Sequence, residues 1–278
     1  GREVARRFLD VFERPGDFFA GYNELARGQF EMWEGVSRGY LGDVSPRYPG
    51  VSAEALATRS VGLNYPTMAG LLVLPSLGLL FAGDAEGAYR AAYGAAFFDV
   101  GYAREATALL AAGQALALEG MEARVLVDEL LALDPLCLGG YFGGPFIAEQ
   151  MPRLLAKARG KQGPELAELL ARELRYFSVF DPYRALAIAC AALLAHPADP
   201  WTALQIAANQ GDLDGDGRWR RYADIDCYAG IAGALVGAQW GIGALPAARV
   251  EQVLAANRAV YGCDLEQTVA RFAALARD

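Results

Sequence analysis

Apolar residues recur at intervals of three and four along most of the chain. Val4, Phe8, Val11 and Phe12 open the pattern, and it returns over Ala103 to Leu118, Val125 to Leu133, Leu166 to Leu174 and Tyr183 to Leu194. This spacing lays an apolar stripe along one side of a helix and predicts a helix over each stretch. The breaks fall where helices need them, at Gly83-Asp84, Gly120, Asp134-Pro135, Asp181-Pro182 and Ala198-Asp199-Pro200. A Pro directly after an Asp suits the first turn of a following helix. No alternation of apolar and polar positions is long enough to predict a strand. The expected fold is therefore all-α, an orthogonal bundle of many helices. Two irregular stretches interrupt it, Gly39 to Gly50 and the Gly-rich Leu138 to Pro145. Each either lines a cleft, since loops near ligands often carry Gly, or serves as a plain connector.

From Cys227 to Ala248 the chain carries no charge for 22 residues, long enough on paper to span a bilayer. Gly233, Gly237, Gly241, Gln239 and Pro246 make the run only weakly hydrophobic, so it reads as a close-packing core helix and no membrane partner is expected. With 278 residues and no Pro/Ser-rich or charged linker, the chain is expected to form a single domain over 1–278. Its 33 acidic against 25 basic residues leave a net charge of -8, which argues against a nucleic-acid partner. An acidic chain that binds a diphosphate needs local help from a cation, helix N-termini or a few Arg side chains. Cys137, Cys190, Cys227 and Cys263 lack C-x-x-C spacing and, with the lone His196, make no zinc signature. A single His also leaves Ser-His and Cys-His nucleophilic catalysis without support. The start of the chain has no signal-peptide pattern, and a reducing cytoplasm is the expected location.

The densest candidate chemistry is Asp224-Ile225-Asp226-Cys227, which opens the small-residue helix Tyr228 to Gly237. Two carboxylates at i and i+2 ahead of a helix can converge on one hard cation, and the free N–H groups of the helix start suit an anion. The plainer reading is an N-cap and a surface carboxylate. Just upstream, Asp212, Asp214 and Asp216 in Asp-Leu-Asp-Gly-Asp-Gly match the opening of a Ca2+ loop. Its twelfth position is Ala223 rather than the bidentate Glu such loops use, so a polar surface insertion competes with the calcium reading. Arg218-Trp219-Arg220-Arg221 is the most concentrated positive charge. It suits a diphosphate and an adenine ring, or equally a solvated loop that pairs its own aspartates.

Asp-x-Asp-Cys followed by an Ala/Gly helix and the close through Ala238, Gly241, Leu245 and Pro246 resembles the C-terminal signature of the ADP-ribosylglycohydrolase family. A second stretch, Asn64-Tyr65-Pro66-Thr67-Met68 with Leu74 to Gly78 and Gly83 to Ala88, is similar to that family's Asn-Gly-x-x-Met region and its following helices. Together they span roughly 60 to 250 in the family's order. Gly211-Asp212-Leu213-Asp214 competes for the Gly-Asp-x-Asp element, but the Ala/Gly helix directly follows the later pair. The resemblance implies an all-α fold and Mg2+-dependent hydrolysis of an N- or O-glycosidic ADP-ribosyl linkage on a protein or small molecule. It also implies Asp224, Asp226 and position 227 as metal ligands, although a thiol is a poor ligand for a hard cation. Asn64 and Thr67 would position the ligand. Where many members carry a His, this chain has Phe97-Phe98-Asp99-Val100-Gly101-Tyr102, so Asp99 and Tyr102 are either its candidates for the cleft or a cap and a core aromatic. After Met68 the family's usual Arg is replaced by Ala69-Gly70. The family's N-terminal Asp-Asp metal motif is expected ahead of a helix similar to Glu3 to Asp10, where this chain begins. The domain is thus expected to be N-terminally incomplete, with a binuclear Mg2+ site only in a longer protein. Two alternatives remain open, a catalytically impaired nucleotide-binding homologue and a calcium-binding helical protein.

Overall fold

The computed structural model describes residues 1–18, 24–43, 66–137 and 145–275. They fall into two compact units, Gly1–Tyr65 with Pro246–Asp278, and Pro66–Leu245. In the first, α1 (Arg2–Glu13) lies against α2 (Glu24–Leu41), and Phe8 stacks on Trp33 with ring centroids 5.4 Å apart. Arg38 reaches back to Glu13 at 2.7 Å and also pairs with the buried Glu34. The described part of the first irregular stretch is mostly helix, because α2 continues to Leu41 and turns at Gly42 with φ 87°. Residues 44–50, and all of 138–145 except Pro145, lie outside the described residues.

The second unit carries α3 (Ala69–Val73), α4 (Ala85–Ala95), α5 (Tyr102–Leu118), α6 (Ala123–Ala132), α7 (Phe146–Ala158), α8 (Gly163–Glu173), α9 (Pro182–Ala195), α10 (Pro200–Ala207) and α11 (Ile225–Trp240). Six of these, α4, α5, α6, α8, α9 and α10, follow the 3.6-residue period of the sequence or its stop signals. Asp84, Asp181 and Asp199 each accept backbone N–H groups at the start of α4, α9 and α10, which satisfies donors that a helix start otherwise leaves unpaired. Asp134-Pro135 is different: it makes a turn and no helix follows it directly.

α5 and α9 form the centre of this unit, and nearly every side chain of both is buried. Both pack on α11, whose buried face is Tyr228, Ile231, Ala232, Leu235 and Val236. Small residues set the spacing: a β-carbon on Gly113 of α5 would stand 2.9 Å from Leu235. Gln114 crosses the same contact, its Nε2 donating to the Ala234 carbonyl at 3.2 Å.

All-α is the architecture observed, with two local departures from the expectations. The uncharged run from Cys227 is not one helix, because α11 stops at Trp240 and Gly241 turns the chain at φ 70°. A 3-10 turn, Ile242–Ala244, follows, and the next helix, α12 (Ala247–Tyr261), begins in the other unit ahead of α13 (Leu265–Leu275). No helix among the described residues is long and apolar enough to cross a membrane. The second departure is a β-hairpin, β1 (Gly211–Leu213) with β2 (Trp219–Tyr222). Its strands are too short, and β2 too polar, to register as an alternating pattern.

Candidate metal corner

The hairpin exists because its turn is self-sufficient. Asp214 Oδ1 accepts from the amides of Asp216 at 3.0 Å and Arg218 at 2.8 Å, and Gly217 takes φ 80°, which a residue with a β-carbon rarely adopts. Gly211 pairs with Tyr222, and Ala223 N–H adds a bond to the Gln210 carbonyl at 3.0 Å. The chain is thereby delivered to Asp224 at the head of α11.

Asp224 occupies the N-cap position but its carboxylate makes no capping bond to a backbone N–H, and its side-chain partner in the first turn is the Cys227 thiol. One ligand atom each from Asp224, Asp226 and Cys227 lies within 4.8 Å of the others. Among the described residues these form the one group of three or more acidic, Cys or His side chains so gathered. Asp226 is exposed, whereas Asp224 and Cys227 are half-buried. Burial first, and then the neighbouring Asp226, raise the Asp224 carboxyl above its ordinary range. The Cys227 thiol is pushed up to about 12 by burial and by both carboxylates, so it is protonated at neutral pH and faces Asp224 as a donor. Two close carboxylates that repel one another accept a hard divalent cation readily, while a neutral thiol does not ligate one. The donor set therefore fits a cation held by Asp224 and Asp226, with Cys227 beside it.

A short loop ahead of α9 ties this corner to the upstream motif. The Val179 carbonyl accepts from Tyr228 Oη at 2.6 Å, and the Phe180 carbonyl accepts from Met68 N–H at 3.0 Å. The two sequence motifs, distant along the chain, thus dock on consecutive carbonyls. Thr67 is half-buried beside this tether; Asn64 lies outside the described residues.

The other candidates have partners of their own. Asp99 is buried, its Oδ2 accepting from Thr107 Oγ1 at 2.7 Å and its Oδ1 from Gly70 N–H at 3.1 Å, which joins α3 to α5. Burial outweighs those donors and pushes its carboxyl up to about 6. Tyr102 Oη donates to Asp181 Oδ2 at 2.6 Å, and its ring stacks on Phe146 at 4.3 Å. Asp212, Asp214 and Asp216 are not gathered: Asp212 pairs with Arg221 across the hairpin at 3.2 Å, Asp214 closes the turn, and Asp216 is exposed. Trp219 lies edge-on to Tyr222 and against Gly211, where a β-carbon would meet its ring at 2.3 Å.

A cavity of about 740 Å³ between α8, α10 and the hairpin is lined by Ala167, Ile206, Leu213 and Trp219 among others and does not touch Asp224 or Asp226.

Two buried charges of the second unit have no place in the sequence analysis. Glu105 accepts the Ile147 N–H at 3.1 Å at the start of α7, and Arg184, fully buried, donates to the carbonyls of Phe177 at 3.1 Å and Gly211 at 2.8 Å. Arg184 is a lone charge inside an apolar helical run, and that contrast is a signal the sequence offers, whereas Glu105 stands beside Arg104 and has none of its own.

The family model for ADP-ribosylglycohydrolase matches residues 4–278, nearly the whole chain. No curated protein and no solved structure matches it.

Proposed function

The chain belongs to the ADP-ribosylglycohydrolase family, and on that premise we propose that it hydrolyses an ADP-ribosyl N- or O-glycosidic bond with Mg2+ held at Asp224 and Asp226. The observation that carries this reading is the convergence of those two carboxylates at a helix start, with Asp224 free of a capping bond. A divalent cation there supplies positive charge for the ribose hydroxyls or diphosphate and for activation of a water. Asp224 and Asp226 hold it, and the N–H groups that a helix start leaves without intrahelical partners suit substrate anionic oxygen at the head of α11. Thr67, together with Asn64, positions the ligand from the segment that Phe180 tethers. Asp99 and Tyr102 act from behind, the first fixing α3 next to Thr67 and the second fixing Asp181 at the end of the loop that receives both motifs. Four free cysteines suit a reducing compartment such as the cytoplasm.

A second reading, a homologue that binds ADP-ribose without turning it over, is favoured by one feature: the residue beside the two carboxylates is a protonated thiol rather than a hard oxygen donor. Incubation with ADP-ribosylated peptides, with free ADP-ribose quantified in Mg2+ and in EDTA, separates the two. Mg2+-dependent release supports hydrolysis, and Mg2+-dependent retention without release supports the binder.

A further inference from the structure

We infer that Arg184 is the positioning residue of the Asp224/Asp226 corner, its guanidinium gripping the chain on both sides of the two carboxylates. The inference rests on the reading of that corner as a cation site. Upstream, Arg184 Nη2 donates to the Gly211 carbonyl at 2.8 Å, and Gly211 is the β1 residue paired with Tyr222, two positions before Asp224. Downstream, its Cζ stands 5.8 Å from the ring of Tyr228, the residue after Cys227. Arg184 Nη1 donates to Phe177, and Tyr228 Oη to Val179, so guanidinium and phenol anchor to one loop.

The energetics set this residue apart from an ordinary core side chain. It is fully buried, and no carboxylate of the described residues lies within ion-pair distance. Its guanidinium donates only to carbonyl oxygens and Nε has no partner, while the Asp181 carboxylate, bound to the Arg184 backbone N–H, acts on the charge only through space. A buried cation so incompletely compensated is a poor way to stabilise a helix otherwise made of Ala, Leu and Ile. A planar guanidinium can, however, hold two carbonyls and a ring face in one fixed geometry, which a flexible ammonium cannot. Two ligands spaced i and i+2 have little tolerance for movement of their backbone, and groups that orient ligands control affinity without touching the metal.

The test uses Mn2+ alone as the probe, with Arg184→Lys, Arg184→Met and a control, Leu126→Ala, that removes a buried α6 side chain. Free Mn2+ is followed by EPR, and alkylation of Cys227 without metal is followed by peptide-resolved mass spectrometry. The expected result is Mn2+ affinity weakened by roughly 10-fold or more in Arg184→Met and less in Arg184→Lys, with faster Cys227 alkylation in both. Leu126→Ala, although destabilised, leaves both readouts at the wild-type level. Arg184→Met that matches Leu126→Ala in both readouts overturns the inference and makes Arg184 a structural residue only. If the wild-type chain binds no Mn2+, the cation-site reading fails and the alkylation arm alone decides whether Arg184 sets the corner's geometry. Should Arg184→Met not fold, Arg184→Lys and Tyr228→Phe, which deletes only the hydroxyl bound to Val179, carry the same comparison.

Discussion

Gly70 N–H donates to Asp99 Oδ1 at 3.1 Å, at a point where a β-carbon on residue 70 would stand 2.1 Å from Asp99 Oδ2 and 2.3 Å from Thr107 Oγ1. α3 therefore approaches a buried carboxylate too closely for a side chain at residue 70. Gly70→Ala is expected to cost about 2–4 kcal/mol through displacement of Asp99 and Thr107, the range of overpacked or disrupted buried polar contacts. Urea unfolding checks it, and a loss within 0.5 kcal/mol of wild type, roughly that of a surface change, contradicts it.

Asp99 also gives the chain a pH dependence. Its folded value, about 6, lies above its unfolded 3.8, so the native state holds the proton more tightly. That contribution is fully present below pH 3.8 and is lost as pH rises through 6. The shift corresponds to about 3 kcal/mol. Asp99→Asn cannot ionise, so the stability of wild type relative to this variant should fall by that order between pH 4 and pH 7. A difference that is flat with pH contradicts the assignment.

Glu105 meets the N-terminus of α7, where burial pushes it up to about 7 against the backbone amides of Phe146, Ile147 and Ala148. Glu105→Ala leaves the buried Ile147 N–H without its acceptor and should cost about 1–3 kcal/mol at pH 7. Glu105→Gln, which keeps an acceptor oxygen, should recover most of it. Equal losses for the two variants, by chemical denaturation, would sink this account of the cap.

Asp214 is assigned to the hairpin turn and not to a metal. Asp214→Ala should loosen residues 211–222, seen as faster amide exchange there, and should leave the protein's response to Ca2+ unchanged. A Ca2+-dependent rise in melting temperature that Asp214→Ala abolishes would restore the calcium-loop reading.

The sequence exposed what local rules govern. Helix periodicity located α5, α6, α8 and α9, and Asp181-Pro182 and Asp199-Pro200 marked helix starts that the structure caps through those same carboxylates. The Asp224/Asp226/Cys227 group was legible because its members are adjacent in sequence. What stayed hidden is long-range. Nothing local announces that Val179 and Phe180 receive Tyr228 and Met68, since backbone carbonyls carry no sequence signature. The motif offers Asp99 and Tyr102 either for the cleft or as a cap and a core aromatic, and no local pattern announces their partners, Gly70, Thr107 and Asp181, which come from other segments. The hairpin hid for a different reason: its order comes from Asp214 and Gly217 in the turn, and its strands are too short for a period.

The central claim is that Asp224 and Asp226 hold a cation through which this chain recognises ADP-ribose. Calorimetric titration of ADP-ribose, in Mg2+ and then in EDTA, on wild type and on Asp226→Asn tests it most directly, because Asp226 is exposed and its replacement should leave the fold intact. The expected result is binding that requires Mg2+ and is lost in the variant. Binding that is indifferent to EDTA and to Asp226→Asn, or no binding by a chain shown to be folded, would contradict it.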